Sequence, residues 1–260
     1  MIAIGAGGLD VAVAMATGKY YLQCPSVVKV NLVGKKAPWV SAKDIILYIL
    51  QQLTVKGGVN KIIEYTGKGI ASLSLTDRAT ICNMGAELGA TTSIFPTDKR
   101  TKEYLQQQGR VEDYIEIKAD EDATYDQELT VDLSTLVPMT AKPHSPDAVV
   151  PVKELEGMKI NQVVIGSCTN SSFADMMKAA KILKGRKVAE HVSLVIAPGS
   201  SSILAMLAKN GALGDMVQAG ARILECGCGP CIGMGQAPLS KGISLRTINR
   251  NFKGRSGTND

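Results

Sequence analysis

Three cysteines, Cys168, Cys228 and Cys231, fall where their thiolates could share one inorganic group. Cys228 and Cys231 form a CxxC bordered by glycines, and the short turn between them brings both sulfurs to one side. Pro230 and the glycines permit the tight backbone that such a turn needs. Taken alone, CxxC admits a zinc site, a redox dithiol or a buried structural pair. Cys168, in a separate strand-to-helix loop, shifts that balance, because a redox dithiol needs no third partner and structural zinc usually takes four ligands. The two histidines, His144 and His191, are not placed to complete a zinc site. Three thiolates suit an iron–sulfur cluster with one iron left open as a Lewis acid. Cys226 reads as a bystander, its side chain pointing away from that of Cys228 if the strand continues that far. Cys24 and Cys82 lie alone in apolar-looking stretches.

The elements that must position these residues alternate between strand and helix. KVNLVGK (29–35) alternates as a strand, and Ser41 with Asp44 three residues on approximates a capping box opening an amphipathic helix. Further strands are expected at 61–67, 91–96 and 128–136, with helices over about 76–89 and 98–110. Residues 137–154 carry four prolines and little periodicity, which reads as an inter-domain connection. Beyond it, QVVIGS and VSLVIAPGS each run into a helix, ARILE runs into CGCGPC, and ISLRTINRNF closes the series as a strand. Such units build a parallel sheet whose strands end on one edge, where ligands bind and helix dipoles point positive. SCTNSS, CGCGPC and NRNFKGR all fall at that edge.

Composition excludes several classes. The chain is 45% hydrophobic and 20% charged, without the bias of a disordered tract. Its net charge of +5 is scattered and not interleaved with aromatic residues, so no nucleic-acid platform is expected. No stretch approaches the ~20 apolar residues of a membrane helix. The apolar run from Met1 to Ala16 has no positive leader and is expected to be buried. Within it, GAGGLD resembles half a dinucleotide fingerprint, but Asp10 stands where the third glycine belongs, so tight helix packing is the expectation. Six cysteines are too sparse for a secreted disulfide scaffold, which points to reduced thiols in a cytoplasmic protein.

Four separated segments, GSCTNSS (166–172), CGPCIG (228–233), NRNFKGR (249–255) and ATICNMGAELGATTSIFP (79–96), together resemble the aconitases, in the expected order and across nearly the whole chain. The resemblance implies three-layer α/β/α domains with largely parallel sheets. It divides the chain into the end of a first domain (1–25), a second domain (26–140), a connection (141–154) and the start of a third domain carrying the cluster (155–260). It makes Cys168, Cys228 and Cys231 ligands of a [4Fe–4S] cluster, with Asn170 and Asn249 supporting the cluster loops. Arg250 and Arg255 would bind substrate carboxylates, as guanidinium forks do. Asn83 and Glu87, spaced i,i+4 on one helix face, would stand near the cluster, Glu87 assisting the proton that leaves with the hydroxyl. Without the resemblance Glu87 reads as an ordinary exposed helix residue.

The implied activity is that of a hydro-lyase of the tricarboxylic acid cycle, interconverting citrate and isocitrate through cis-aconitate. Isopropylmalate dehydratase or homoaconitase is the alternative within the superfamily, and a cluster-dependent RNA-binding regulator is the alternative of another class. The chain departs from the family pattern in two respects. The aspartate–serine–histidine and aspartate–histidine segments with acid–base roles do not occur, and neither does the final swivelling domain with its serine base. The expectation is therefore a central fragment with little turnover alone, whose missing partners are the flanking segments of the same enzyme.

Overall fold

A computed structural model describes residues 2–3, 6–248 and 250–257. The chain divides into two compact units, Met1–Thr140 with Val149–Pro151, and Ala141–Ala148 with Val152–Asp260. Both are mixed α/β with largely parallel sheets. Among the described residues no helix is long and apolar enough to cross a membrane.

The first unit runs β1 (Ile2–Ala3), α1 (Gly8–Thr17), β2 (Ser26–Val33), α2 (Ala42–Leu53), β3 (Lys61–Thr66), α3 (Leu75–Met84), β4 (Thr92–Ile94), α4 (Lys99–Gln107) and β5 (Gln127–Asp132). Its sheet has the order β1-β4-β3-β2-β5, parallel except where β1 meets β4. Period-two alternation puts Val28, Val30 and Leu32 of β2 in the core, level with Ile63 and Tyr65 of β3. The apolar face of α2 supplies Ile45, Ile46, Ile49 and Leu50 to that core. The expected capping box is present: Asp44 Oδ2 accepts from the Ser41 amide and hydroxyl, each at 2.7 Å. Asp44 Oδ1 accepts from the Met139 amide at 2.7 Å, so one carboxylate ties the helix start to a later segment.

Two expectations fail at the start of the chain. Helix α1 buries none of its residues, and Leu9 and Met15 stand 79% and 83% exposed. Gly7 and Gly8 of GAGGLD therefore serve no tight packing against another helix, since nothing among the described residues covers the apolar face of α1, and Gly5 lies outside the described residues. Cys24 is likewise exposed, whereas Cys82 is buried and its thiol contacts the Ser93 carbonyl at 3.7 Å.

β6 (Met139–Ala141) and β7 (Val149–Pro151) pair as a separate two-stranded sheet in the stretch expected to be an inter-domain connection. Residues 141–148 belong to the second unit and 149–151 to the first.

The second unit continues with β8 (Gln162–Gly166), α5 (Phe173–Leu183), β9 (Ser193–Ala197), α6 (Ser201–Lys209), α7 (Ala212–Gln218), β10 (Arg222–Ile223) and β11 (Ser244–Arg246). Its four strands are parallel in the order β10-β9-β8-β11. Met176, Ala180, Leu207, Ala212 and Met216 from the three helices pack with Leu194 and Ile196 of β9 in one cluster. A second cluster joins Val164, Val195, Leu224 and Ile248 to Cys231. Alternation along β9 aims Val195 one way and Leu194 and Ile196 the other, so the helices and the cysteine turn lie on opposite faces. Strands β10 and β11 are shorter than the patterns ARILE and ISLRTINRNF suggested, because the backbone turns into irregular loops after Ile223 and Arg246.

Candidate functional site

Because all four strands of the second unit run the same way, the segments that follow them leave at one edge. Cys168 follows β8, the CxxC follows β10, and Arg250 and Arg255 follow β11. Asn249 lies outside the described residues.

The Cys168 loop is set by backbone contacts that only a small residue tolerates. Gly166 has φ +118°, and a Cβ there would stand 1.9 Å from the Ala197 carbonyl oxygen. Its amide donates to Thr247 Oγ1 at 2.9 Å, and the Ser167 amide donates to the Ala197 carbonyl at 2.9 Å, tying the loop to both flanking segments. Ser167 itself takes φ 70°, a left-handed conformation that turns the chain sharply into Cys168. Ser171 Oγ donates to the Ser167 carbonyl and closes the turn. Cys168 is exposed, with Sγ 3.6 Å from Thr169 Oγ1.

The CxxC occupies a 3-10 turn over Gly229–Ile232, closed by the Cys231 amide donating to the Cys228 carbonyl at 3.1 Å. Cys228 is exposed and Cys231 buried. The tail after β11 clamps this turn. Ser256 Oγ donates to the Cys231 carbonyl at 3.0 Å, and Arg255 Nη2 donates to Cys231 Sγ at 3.5 Å. Gly233 allows the close approach: a Cβ there would lie 2.5 Å from the Ser256 carbonyl oxygen. The connecting segment reaches the same tail, with His144 bridging Phe252 and Asn251 Nδ2 donating to the Lys142 carbonyl at 2.8 Å.

Arg246, which the sequence reading passed over, reaches this turn from β11. Its Nη1 donates to the Pro230 carbonyl at 2.7 Å, its Nη2 to Gln162 Oε1 at 2.9 Å, and its Nε to Ser244 Oγ at 2.9 Å. Burial lowers the guanidinium pKa, and the neighbouring Cys231 pulls it back up. The one signal in the sequence was the i,i+2 spacing of Ser244 and Arg246, which puts both on one strand face.

Cys226 is exposed and lies beyond the end of β10, so strand alternation does not orient it relative to Cys228. Among the described residues no three His, Cys, Asp or Glu side chains gather tightly enough to hold a metal ion. A single ion draws each sulfur to about 2.3 Å from one centre, whereas a cluster is held through thiolates on separate irons. The donor set fits such a cluster. Three thiols stand on segments that follow strands of one parallel sheet, and the Arg255 guanidinium donates to the buried one. Ser167 Oγ, Asn170 Oδ1 and Arg255 Nε are buried there without a protein partner, as groups completed by a bound species would be.

Asn83 and Glu87 belong to the first unit. They do not share an α-helical face, because α3 ends at Met84 and Glu87 lies in a 3-10 segment, Gly85–Leu88. Gly85 makes that switch, its backbone so close to β4 that a Cβ would stand 2.3 Å from Ser93 Oγ. Glu87 is only 4% exposed, contrary to the plain reading as a surface helix residue.

The chain matches the aconitase (aconitate hydratase) family profile over residues 1–157 and 152–260. It is 43% identical over 254 residues to the 3-isopropylmalate dehydratase large subunit 2 of Archaeoglobus fulgidus, covering 97% of this chain and 61% of that protein. The 3-isopropylmalate dehydratase large subunit of Clostridium kluyveri is also 43% identical, over 97% of this chain and 60% of that protein. The mitochondrial aconitate hydratase of Schizosaccharomyces pombe is 43% identical over 281 residues, all of this chain and 36% of that protein. The chain thus spans about three-fifths of the dehydratase subunits it matches. With the profile covering both units, the chain belongs to the aconitase family.

Proposed function

We propose that this chain is the cluster-carrying part of a hydro-lyase that removes and re-adds water on a hydroxy-polycarboxylate. What supports this reading is that the Cys168 loop, the CxxC turn and the Arg255 tail each follow a strand of one parallel sheet, with Arg255 on the Cys231 sulfur. A [4Fe–4S] cluster on Cys168, Cys228 and Cys231 would supply Lewis acidity at an iron without a protein ligand. The chain's own residues supply part of the remaining chemistry. Arg255 and Arg250 hold substrate carboxylates, Arg255 through the donors it does not turn toward Cys231. Asn170, and Asn249 beside Arg250, support the loops. By the family resemblance, Glu87 would assist the proton that accompanies the hydroxyl, and Asn83 would serve with it.

Among substrates, the dehydratase relatives support a 3-isopropylmalate-type hydroxy acid, and their designation as large subunits supports a smaller subunit as partner. A citrate-type substrate is the second reading, supported by the aconitate hydratase matching the full chain and by the CTNSS and CGPC contexts. Anaerobic reconstitution of the chain tests the first step: iron and sulfide should load together, and zinc in their place would overturn it. Titrating the reduced, loaded chain with 3-isopropylmalate and with citrate then separates the substrates. The true one shifts the electron paramagnetic resonance spectrum at lower concentration, and no response to either would refute the carboxylate grip.

A further inference from the structure

We propose that Arg246 is a positioning residue for the cysteine turn, holding the Pro230 carbonyl and setting a fixed positive charge beside Cys231. The inference rests on the cluster reading above. Its ground is geometric. All three guanidinium nitrogens are engaged, and each bond leads to a different kind of anchor. Nη1 grips the Pro230 carbonyl, one residue before Cys231, at 2.7 Å. Nη2 and Nε are fixed by Gln162 Oε1 and Ser244 Oγ, both at 2.9 Å. Those two anchors are themselves joined at 2.7 Å, and Gln162 Nε2 donates on to the Ala237 carbonyl at 3.2 Å. Gln162 is buried at the start of β8, the strand that ends in the Cys168 loop.

One rigid side chain therefore links the strand before Cys168 to the turn containing Cys228 and Cys231. A planar fork with three fixed contacts cannot swing without breaking two hydrogen bonds, so the turn inherits the rigidity of the sheet. The charge matters separately. A buried thiolate is stable only if its charge is compensated, and Arg255 alone offers one long contact at 3.5 Å. Arg246 supplies a second cation that stays charged across the physiological range.

Three proteins test this: the wild-type chain, Arg246→Lys and Arg246→Gln, each reconstituted anaerobically. The wild type must first load iron and sulfide, and failure there refutes the cluster reading before any variant is compared. With a loaded wild type, the Gln variant should lose its cluster to a chelator about 10- to 100-fold faster, as outer partners of metal ligands do. Its reduction potential should move negative, because a positive charge has been removed. The Lys variant should keep the wild-type potential yet lose the cluster faster, since it keeps the charge and lacks the fork. Unchanged potential in the Gln variant overturns the charge role. If that variant does not fold, the Lys variant decides the positioning role alone, and a wild-type chelator lifetime there overturns it.

Discussion

Cys228 and Cys226 are two residues apart and both exposed, yet only Cys228 is placed on the turn that the Arg255–Ser256 tail clamps. Cys228→Ser should abolish iron and sulfide loading, whereas Cys226→Ser should load as the wild type does. Equal loading in both would remove Cys228 from the ligand set. Arg78 makes a different kind of claim. Its side chain is fully buried in the first unit and forms an ion pair with the partly exposed Asp98, with Nη1 to Asp98 Oδ1 at 3.1 Å. Arg78→Leu should destabilise this unit by about 2–3 kcal/mol, below the usual figure for a fully buried pair because water screens Asp98. Burial raises the Asp98 pKa, but hydrogen bonds and charge from Arg78 and Thr101 outweigh it, and the carboxyl sits below its ordinary value. A depressed carboxyl stabilises the fold above the unfolded pKa of about 3.9, and that stability is lost as pH falls through the folded value. Urea midpoints between pH 5 and pH 3 should fall less steeply in Asp98→Asn. Single residues were legible in proportion to their local context. The cysteines announced themselves by spacing, while the burial of Glu87 and the reach of Arg246 arise from packing between segments distant in sequence.

At the scale of elements, strands and helices were read well wherever the hydrophobic period was long and capped. The capping box at α2 was visible because a short-range hydrogen bond needs only the right residues three apart. Its second function was not, since the Met139 amide comes from 95 residues away. Asp44→Ala should therefore cost about 2 kcal/mol, more than the ~1 of an ordinary cap, by also stranding a partly buried donor. Hydrogen exchange at Met139 should quicken in step, and an unchanged Met139 rate would confine the effect to the cap. Two short elements were misread for the opposite reason: alternation continues in the sequence past Ile223 and Arg246, but the strands end there, with glycines and the cysteine turn following Ile223. Helix α1 was misread because an apolar pattern reports what a segment could bury, not what covers it. Replacing Leu9 and Met15 with Gln should leave the unfolding free energy from urea titration within about 0.5 kcal/mol of wild type, since neither side chain loses a covered environment.

At the scale of the whole molecule, every proposed cluster ligand lies in the second unit, and so do the residues that hold the ligand turns, Gln162, Arg246, Arg255 and Ser256. The first unit has a core of its own around β2, β3 and α2. Binding to the native state alone adds stability as RT ln(1 + [L]/Kd), so whatever unit contains the site gains it. Cluster loading should therefore protect amides of β8, β9 and the 228–233 turn from exchange, by about 2–4 kcal/mol where the loaded state is 100- to 1,000-fold favoured. Amides of β2 and β3 should exchange at the same rates loaded and empty. Equal protection in both units would mean that they unfold as one cooperative body, and protection confined to the first would move the cluster away from Cys168, Cys228 and Cys231. The chain crosses between units more than once, at residues 140–141, 148–149 and 151–152, so the experiment also reads whether those crossings transmit stability.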